Sequence, residues 1–261
     1  MYHKIHFQKY HGTGNDFIMI DNRAGVLDGS NQVLIAQLCD RHFGIGADGL
    51  ILLENSEQHD FAMRYFNADG WEGSMCGNGG RCTVHFAKSL GLIQNRTTFE
   101  AVDGLHYAEI ENGIVSLQMG DVNQVEVYDS HCFLNTGSPH HVELVTDLLH
   151  YPVFEKGKQK RYGAPYFEKG SNINFVEPID EKSFKVRTYE RGVENETLSC
   201  GTGVTATAIA LFETGKTKFN QVQLEVLGGT LEVSFEKMGN TYQKVFLKGP
   251  ATFVFEGVWK V

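Results

Sequence analysis

The sequence predicts two similar α/β domains, each a barrel-like sheet closed around one buried helix. Three observations lead there. Strand-like alternation dominates the chain. A block made of a polar loop, a cysteine, a Gly-x-Gly and a helix of small residues occurs twice. The 261 residues suffice for one large domain or two of ordinary size, and 41% hydrophobic and 21% charged residues are ordinary globular usage, so a core can be buried without staples.

Taken in order, the strand-like runs are Ile5–Lys9, Leu50–Glu54, Phe61–Phe66, Ile114–Gln118, Gln223–Val226 and Lys244–Leu247. Glycines and Asn-Gly pairs punctuate them, as turns require. A first helix is expected over Asn31–Phe43, with Val33, Leu34, Leu38 and Cys39 on its apolar face, Ser30 or Asn31 as N-cap, and Gly44 ending it. Two further helices begin just after Cys76 and just after Cys200 and stop near Gly91 and Gly215, placed as C-caps. Their small residues let surrounding strands approach closely. The halves align as Asn67-Ala68-Asp69-Gly70 before Cys76-Gly77-Asn78-Gly79-Gly80, and Glu190-Arg191-Gly192 before Cys200-Gly201-Thr202-Gly203. The join is expected near Gly120–Asn123, where turn residues separate two strand-like runs.

A formal charge of −9, with Lys and Arg spread along the chain, argues against a nucleic-acid footprint and against an anionic membrane surface. Met1 to Tyr10 lacks the apolar core of a secretory signal, and no apolar run approaches the roughly 18 residues of a membrane span. The expected compartment is the cytoplasm. Cys39, Cys76, Cys82, Cys132 and Cys200 are odd in number and irregular in spacing, a poor disulfide framework, and the gap from Cys76 to Cys82 is wide for zinc. No metal site is expected. Cys39 and Cys82 read as packing, Cys132 lies in a strand-like run, and Arg81 is expected to face the loop or solvent.

If the two Cys-Gly-x-Gly turns face each other, each thiol sits at a helix N-terminus, where N–H groups and the macrodipole favour negative charge and lower a cysteine pKa. Two facing sulfurs would share one proton and titrate jointly. A thiolate on one side of a carbon and a thiol on the other is what stereo-inversion needs. The same N-termini can hold a carboxylate through the N–H groups of Gly77, Asn78, Gly201 and Thr202. One Cys-Gly-x-Gly alone is more often a buried cysteine before a tight turn; two in matching contexts reverse those odds. Cys76–Arg81 lacks the Gly-Lys-Ser/Thr of a phosphate loop, and neither Gly12-x-Gly14 nor Gly44-x-Gly46 completes a dinucleotide fingerprint.

An ordered set of segments resembles the diaminopimelate epimerase family. It comprises Gly12-Thr13-Gly14-Asn15-Asp16-Phe17, Gly44-Ile45-Gly46-Ala47-Asp48-Gly49, Asn67-Ala68-Asp69-Gly70 and Met75-Cys76-Gly77-Asn78-Gly79-Gly80-Arg81-Cys82. It continues with Gly137-Ser138-Pro139-His140, Asn172-Ile173-Asn174-Phe175, Glu190-Arg191-Gly192 and Glu196-Thr197-Leu198-Ser199-Cys200-Gly201-Thr202-Gly203. The resemblance implies an isomerase that interconverts LL- and meso-diaminopimelate without pyridoxal phosphate or any other cofactor, in lysine and cell-wall precursor synthesis. It implies two pseudo-symmetric α/β domains, each a curved mixed β-sheet or barrel around a central helix, with the final strand returning to the first: residues 1–120 plus 250–261, and 121–249. It makes Cys76 and Cys200 the acid/base pair. Asn15, Asn67, Asn172, Glu190 and Arg191 would bind the distal amino-acid end, the backbone at Gly77–Asn78 and Gly201–Thr202 the reacting carboxylate, and His140 would shape the site beside it. A small-molecule substrate is the expected partner, with a homodimer expected from the resemblance alone.

The chemistry of a distal site fits: Arg191 offers a planar fork to a carboxylate, and Glu190 and asparagine carbonyls accept from an ammonium. Three positions depart from the family pattern. Ser138 stands where asparagine is common, Gly49 where glutamine is, and Val193-Glu194-Asn195 is one residue longer, with Asn195 expected to take the left-handed conformation of the missing glycine. The alternatives are a proline or hydroxyproline racemase, which would not need Arg191 and the asparagines, a thiol redox sensor using Cys76 and Cys200, and a non-catalytic diamino-acid binding protein.

Overall fold

The structure is a computed structural model that describes residues 4–261, so Met1–His3, within the stretch read above for a signal, lie outside the described residues. The chain divides into two compact units, Met1–Leu117 with Pro250–Val261, and Gln118–Gly249.

In the first unit β1 (Lys4–Gly12) turns into antiparallel β2 (Asn15–Asp21) through Thr13-Gly14, both at positive φ (50° and 88°). That two-residue turn matches the strand twist. Helix α1 (Gln32–Cys39) carries the chain over to β3 (Gly49–Glu54), parallel to β2, and β4 (Phe61–Asn67) returns antiparallel. Helix α2 (Gly77–Ser89) then crosses over to β5 (Arg96–Ala101), parallel to β4, and β6 (Gly104–Glu111) and β7 (Ile114–Gln118) follow as an antiparallel meander.

The second unit runs through the same series. β8 (Val125–Val127) and β9 (Cys132–Asn135) pair antiparallel, and β10 (Pro139–Leu144) is antiparallel to β9. Helix α3 (Val153–Tyr162) leads to parallel β11 (Asn172–Pro178), then antiparallel β12 (Ser183–Glu190), with short β13 (Asn195–Thr197) folded back on its end. Helix α4 (Gly201–Glu213) crosses to β14 (Gln221–Val226), parallel to β12, and β15 (Gly229–Met238) and β16 (Thr241–Pro250) close the series antiparallel. The last strand, β17 (Thr252–Lys260), belongs to the first unit and pairs antiparallel with β1, as β8 pairs with β9. From β1 and from β9 onward the pairings therefore follow one order: antiparallel, parallel, antiparallel, parallel, antiparallel, antiparallel. The fold is mixed α/β, repeated twice.

Packing explains why the strands bearing the site read as continuous apolar runs. Phe17 to Ile20 and Leu50 to Leu53 are all buried, because both faces of the sheet are covered. Ile18, Ile20, Leu50 and Leu52 join Ile35, Leu38 and Cys39 of α1 in one cluster. Phe17 and Ile51 face α2, where a Cβ at Gly79 would come within 3.0 Å of Ile51 Cδ1. Ten of the thirteen residues of α2, and ten of thirteen in α4, are buried, so each is the central helix of its unit.

Two expectations need correction. Helix α1 stops at Cys39, short of Phe43, because the Asp40 carboxylate accepts from the backbone N–H of His42 and Phe43 (2.7 Å each) and turns the chain; Val33 and Phe43 are exposed. Arg81 does not face solvent: it is fully buried, since α2 is enclosed where it begins, and its guanidinium donates to Gly77 O (3.3 Å), Asn78 Oδ1 (3.0 Å) and Thr13 Oγ1 (3.4 Å). Asn31 is the N-cap of α1, its Oδ1 accepting from Leu34 N–H at 3.1 Å. Among the described residues no helix is long and apolar enough to cross a membrane.

Candidate functional site

In the first unit the site residues gather where β2, β4 and α2 begin or end. Cys76 is the N-cap residue of α2, extended at φ −103° and ψ 127°, and its side chain does not cap the helix. Its thiol donates to Asn15 Oδ1 at 3.6 Å, and Asn78 Nδ2 donates to the same oxygen at 3.2 Å. Asn15 is held in this sense because its Nδ2 donates to Asp48 Oδ2 at 2.8 Å. Asp48 in turn is tied to Arg41 and to the backbone N–H of Asp16. Burial opposes ionisation of Asp16, but Arg41 and Lys9 overcome it and hold the carboxyl far below its usual range. Asn67 ends β4, directly opposite Gly49, with its Oδ1 accepting from Tyr65 Oη at 3.0 Å.

The second unit presents Cys200 in the matching place, N-cap of α4 at φ −121° and ψ 107°. Its sulfur lies 3.6 Å from Thr202 Oγ1. Behind Thr202 stands a chain of buried groups. Thr188 Oγ1 donates to Asn174 Oδ1 (2.9 Å), and Asn174 Nδ2 donates to His141 O (2.9 Å) and to His140 Nδ1 (3.1 Å). His140 therefore carries its proton on Nε2 and donates to Thr202 Oγ1 at 2.9 Å, which leaves the Thr202 hydroxyl proton for Cys200. His140 is fully buried, and burial, together with the nearby Arg191 charge, pulls its pKa down to about 3. It is a neutral hydrogen-bond relay with no capacity as a base here. Gly203 leaves room for this chain, since a Cβ there would sit 2.4 Å from Asn174 Oδ1 and 3.2 Å from Cys200 Sγ.

The neutral state of His140 has a pH signature. Its folded pKa is depressed, so below about pH 6.5 the unfolded chain binds the extra proton. Stability is complete above that pH and is lost as pH falls towards 3. His131 and His141 are shifted the same way, chiefly by burial. Denaturant titrations at pH 7 and pH 5 should show a stability loss that is smaller in His140→Asn; an equal loss in both proteins would contradict the neutral assignment.

Asn172 opens β11 with its amide committed: Nδ2 donates to Ser138 Oγ (2.8 Å) and Pro139 O (3.0 Å), and Oδ1 accepts from Arg191 N–H (2.8 Å). Ser138 thus contacts the strand framework directly. Glu190 ends β12 and accepts from Thr197 Oγ1 at 3.0 Å. Arg191 is exposed; among the described residues its guanidinium donates only to Lys169 O, at 3.0 Å. A cavity of ≈ 520 Å³ is lined by Arg191, Lys169, Tyr128, His131, Phe133 and Tyr166 among others, but by neither Cys200 nor Thr202, so it reaches Arg191 and not the sulfur.

The extra residue after Gly192 is accommodated differently from the expectation. Glu194, not Asn195, adopts the left-handed conformation (φ 56°), while Asn195 starts extended β13. The Glu194 carboxylate is anchored by Arg161 Nε (3.1 Å) and Gly192 N–H (3.1 Å), which fixes the loop around it. Among the described residues no cysteine is joined in a disulfide; burial raises Cys39 and Cys82 to about 12, consistent with packing.

Sequence reasoning gave no role to Asn174, Thr188, Asp48 or Tyr65. Asn172 and Asn174 share one face of a strand by their two-residue spacing, which was a visible signal. Tyr65 and Asn67 share a strand face by the same two-residue spacing, whereas Thr188 has no such signal, since only strand register brings it to Asn174.

Comparison with known proteins agrees with this geometry. The family model described as diaminopimelate epimerase matches residues 7–125 and 132–254. A diaminopimelate epimerase of Flavobacterium psychrophilum is 58% identical over 249 residues, covering 95% of this chain and 97% of that protein. In fold, the chain is similar to a crystal structure of a PhzF-family phenazine biosynthesis protein from Bacillus anthracis (TM-score 0.78, 17% identity, 99% of each chain covered). It is also similar to a hydroxyproline epimerase from Agrobacterium vitis, solved with trans-4-hydroxy-L-proline (TM-score 0.72, 14% identity, 99% and 93% covered). The ordered motifs, the duplicated Cys-led helices and the family match over both units establish that the chain belongs to the diaminopimelate epimerase family.

Proposed function

We propose that this chain inverts one α-carbon of diaminopimelate, interconverting the LL and meso forms, with Cys76 and Cys200 as a thiol/thiolate pair acting on opposite faces of that carbon. As a member of the family it is an isomerase. The observation that carries the reading is the pair of N-cap cysteines, each at the start of a central helix and each given a different partner. A carbonyl oxygen, Asn15 Oδ1, suits a thiol at Cys76, and a hydroxyl donor, Thr202 Oγ1, suits a thiolate at Cys200. A pair that shares one proton needs both kinds of partner.

In this mechanism the thiolate removes the α-proton and the opposite thiol delivers another. The charge that develops in the substrate carboxylate is met by the N-terminal N–H groups at Gly77–Asn78 and Gly201–Thr202. Asn67, Glu190 and Arg191 recognise the distal amino-acid end, Asn15 serves it and Cys76 together, and Asn172 contributes by fixing the Arg191 backbone and Ser138. His140 holds Thr202 in the donating sense. The reaction draws on no cofactor in this reading and belongs to lysine and cell-wall precursor synthesis in the cytoplasm, with the enzyme as a homodimer.

The test is incubation of the reduced protein, without additives, with LL-diaminopimelate and separately with L-proline. Formation of meso-diaminopimelate and no D-proline supports the reading. D-proline without meso product would favour the racemase alternative, and neither product from thiol-verified protein would favour a binding protein or redox sensor.

A further inference from the structure

Tyr65 shares its strand face with Asn67, two residues on, and leans across β3 onto Gly49. A Cβ at Gly49 would meet Tyr65 Cε2 at 2.5 Å and Tyr65 Oη at 3.1 Å, and a Cβ at Gly73 would meet Tyr65 Cε1 at 3.0 Å and Asn67 Nδ2 at 2.9 Å. Two glycines therefore leave the space that the tyrosine ring and the asparagine amide fill. The ring is braced from the side by Phe17, edge-on with centroids 6.0 Å apart. Backbone bonds fix the same neighbourhood: Gly73 N–H donates to Tyr65 O (2.9 Å) and Asn67 N–H to Trp71 O (2.9 Å). From this braced position the Tyr65 hydroxyl donates to Asn67 Oδ1 at 3.0 Å.

The consequence is directional. An asparagine amide can present a carbonyl or an NH₂ to a ligand, and the two choices recognise opposite charges. The Tyr65 hydroxyl fixes the sense of the Asn67 amide: Oδ1 faces Tyr65, and Nδ2 lies on the Gly73 side, where a Cβ would meet it at 2.9 Å. We propose that Tyr65 is a positioning residue for substrate specificity: it locks the Asn67 amide so that its N–H donors, and not its carbonyl, face a carboxylate of the bound amino acid. This rests on the reading of Asn67 as a substrate-binding residue. It changes that reading in one respect, since Asn67 no longer serves as an acceptor for an ammonium, a task left to Glu190. The Gly49 position explains itself in the same way: a longer side chain there would displace the ring that sets the amide.

The test is a double-variant cycle on the intact enzyme with diaminopimelate: Tyr65→Phe, Asn67→Ala, and the two combined. The phenylalanine ring still fills the space beside Gly49 and Gly73, so the fold is kept, which thermal denaturation verifies. Tyr65→Phe is expected to raise KM roughly tenfold, the size of one ordinary hydrogen bond, with a smaller change in kcat. Asn67→Ala should raise KM by at least as much, and the combined variant should match Asn67→Ala alone. A merely structural tyrosine would lower stability and kcat without this split. A wild-type KM in Tyr65→Phe, or fully additive effects in the combined variant, would overturn the inference while leaving the proposed function standing. A wild-type KM in Asn67→Ala would overturn both the inference and the assignment of Asn67 to the substrate, and the two failures are thereby told apart.

Discussion

Replacing Cys76 or Cys200 by alanine should lower turnover by at least about a thousandfold in both directions, the scale of losing a positioned acid or base. The fold should survive each change. Both cysteines are N-cap residues whose side chains do not cap the helix, so neither helix loses a capping bond with its sulfur. The loss must be comparable for the two variants, because inversion needs an acid and a base in each direction and the residues exchange those roles on reversal. Circular dichroism and thermal denaturation separate a chemical loss from unfolding. If either variant kept within tenfold of normal turnover, that cysteine could not be one of the two groups.

Arg191→Met should raise KM for diaminopimelate by roughly a hundredfold, the scale of removing one partner from a close charge pair. The guanidinium is exposed and, among the described residues, tied only to Lys169 O, while the Arg191 backbone is pinned by Asn172 Oδ1. Such a side chain is ready to form a fork with a carboxylate, and its removal leaves the framework intact. Arg191→Lys should recover only part of the loss, because an ammonium keeps the charge without the planar fork. Steady-state kinetics of the three proteins check this; a KM within threefold of normal in Arg191→Met would remove Arg191 from the distal site.

Much of this arrangement was legible in the residues. The doubled Cys-Gly-x-Gly with a following small-residue helix marks both central helices, and their enclosure explains why those helices need so little side-chain volume: Gly79 lies against Ile51 and Gly80 against Leu117. The same enclosure defeats local reasoning about Arg81. Its neighbours in sequence look like a polar loop, yet the surrounding sheet leaves no solvent face at the start of α2. Apolar spacing carries helix α1 on to Phe43 because it does not reveal that the Asp40 carboxylate accepts from the His42 and Phe43 N–H groups and ends the helix at Cys39. In the longer loop, Glu194 takes the left-handed place of Asn195 for a tertiary reason, the carboxylate contact with Arg161, which outweighs the intrinsic preference of asparagine.

The relay from Thr188 through Asn174 and His140 to Thr202 was the least legible part of the site. Its members are scattered over β10, β11, β12 and α4, and only the pairing of Asn174 with Thr188 across the ladder brings the donor to its acceptor. A histidine beside a cysteine invites assignment as its base. Here the amide of Asn174 occupies Nδ1, burial keeps the ring neutral, and the group can only pass hydrogen-bond direction along the chain.

The central claim, that two thiols act on opposite faces of one carbon, is tested most directly by isotope placement in heavy water. Reduced enzyme is given LL-diaminopimelate, the reaction is stopped at a few per cent conversion, and the α-positions of substrate and product are read by NMR. Two monoprotic groups predict deuterium at the inverted centre of the meso product and none in the recovered LL substrate, since the abstracted proton stays on the thiol that took it. Protium carried over to the inverted centre of the product would show one group serving both faces and would contradict the account.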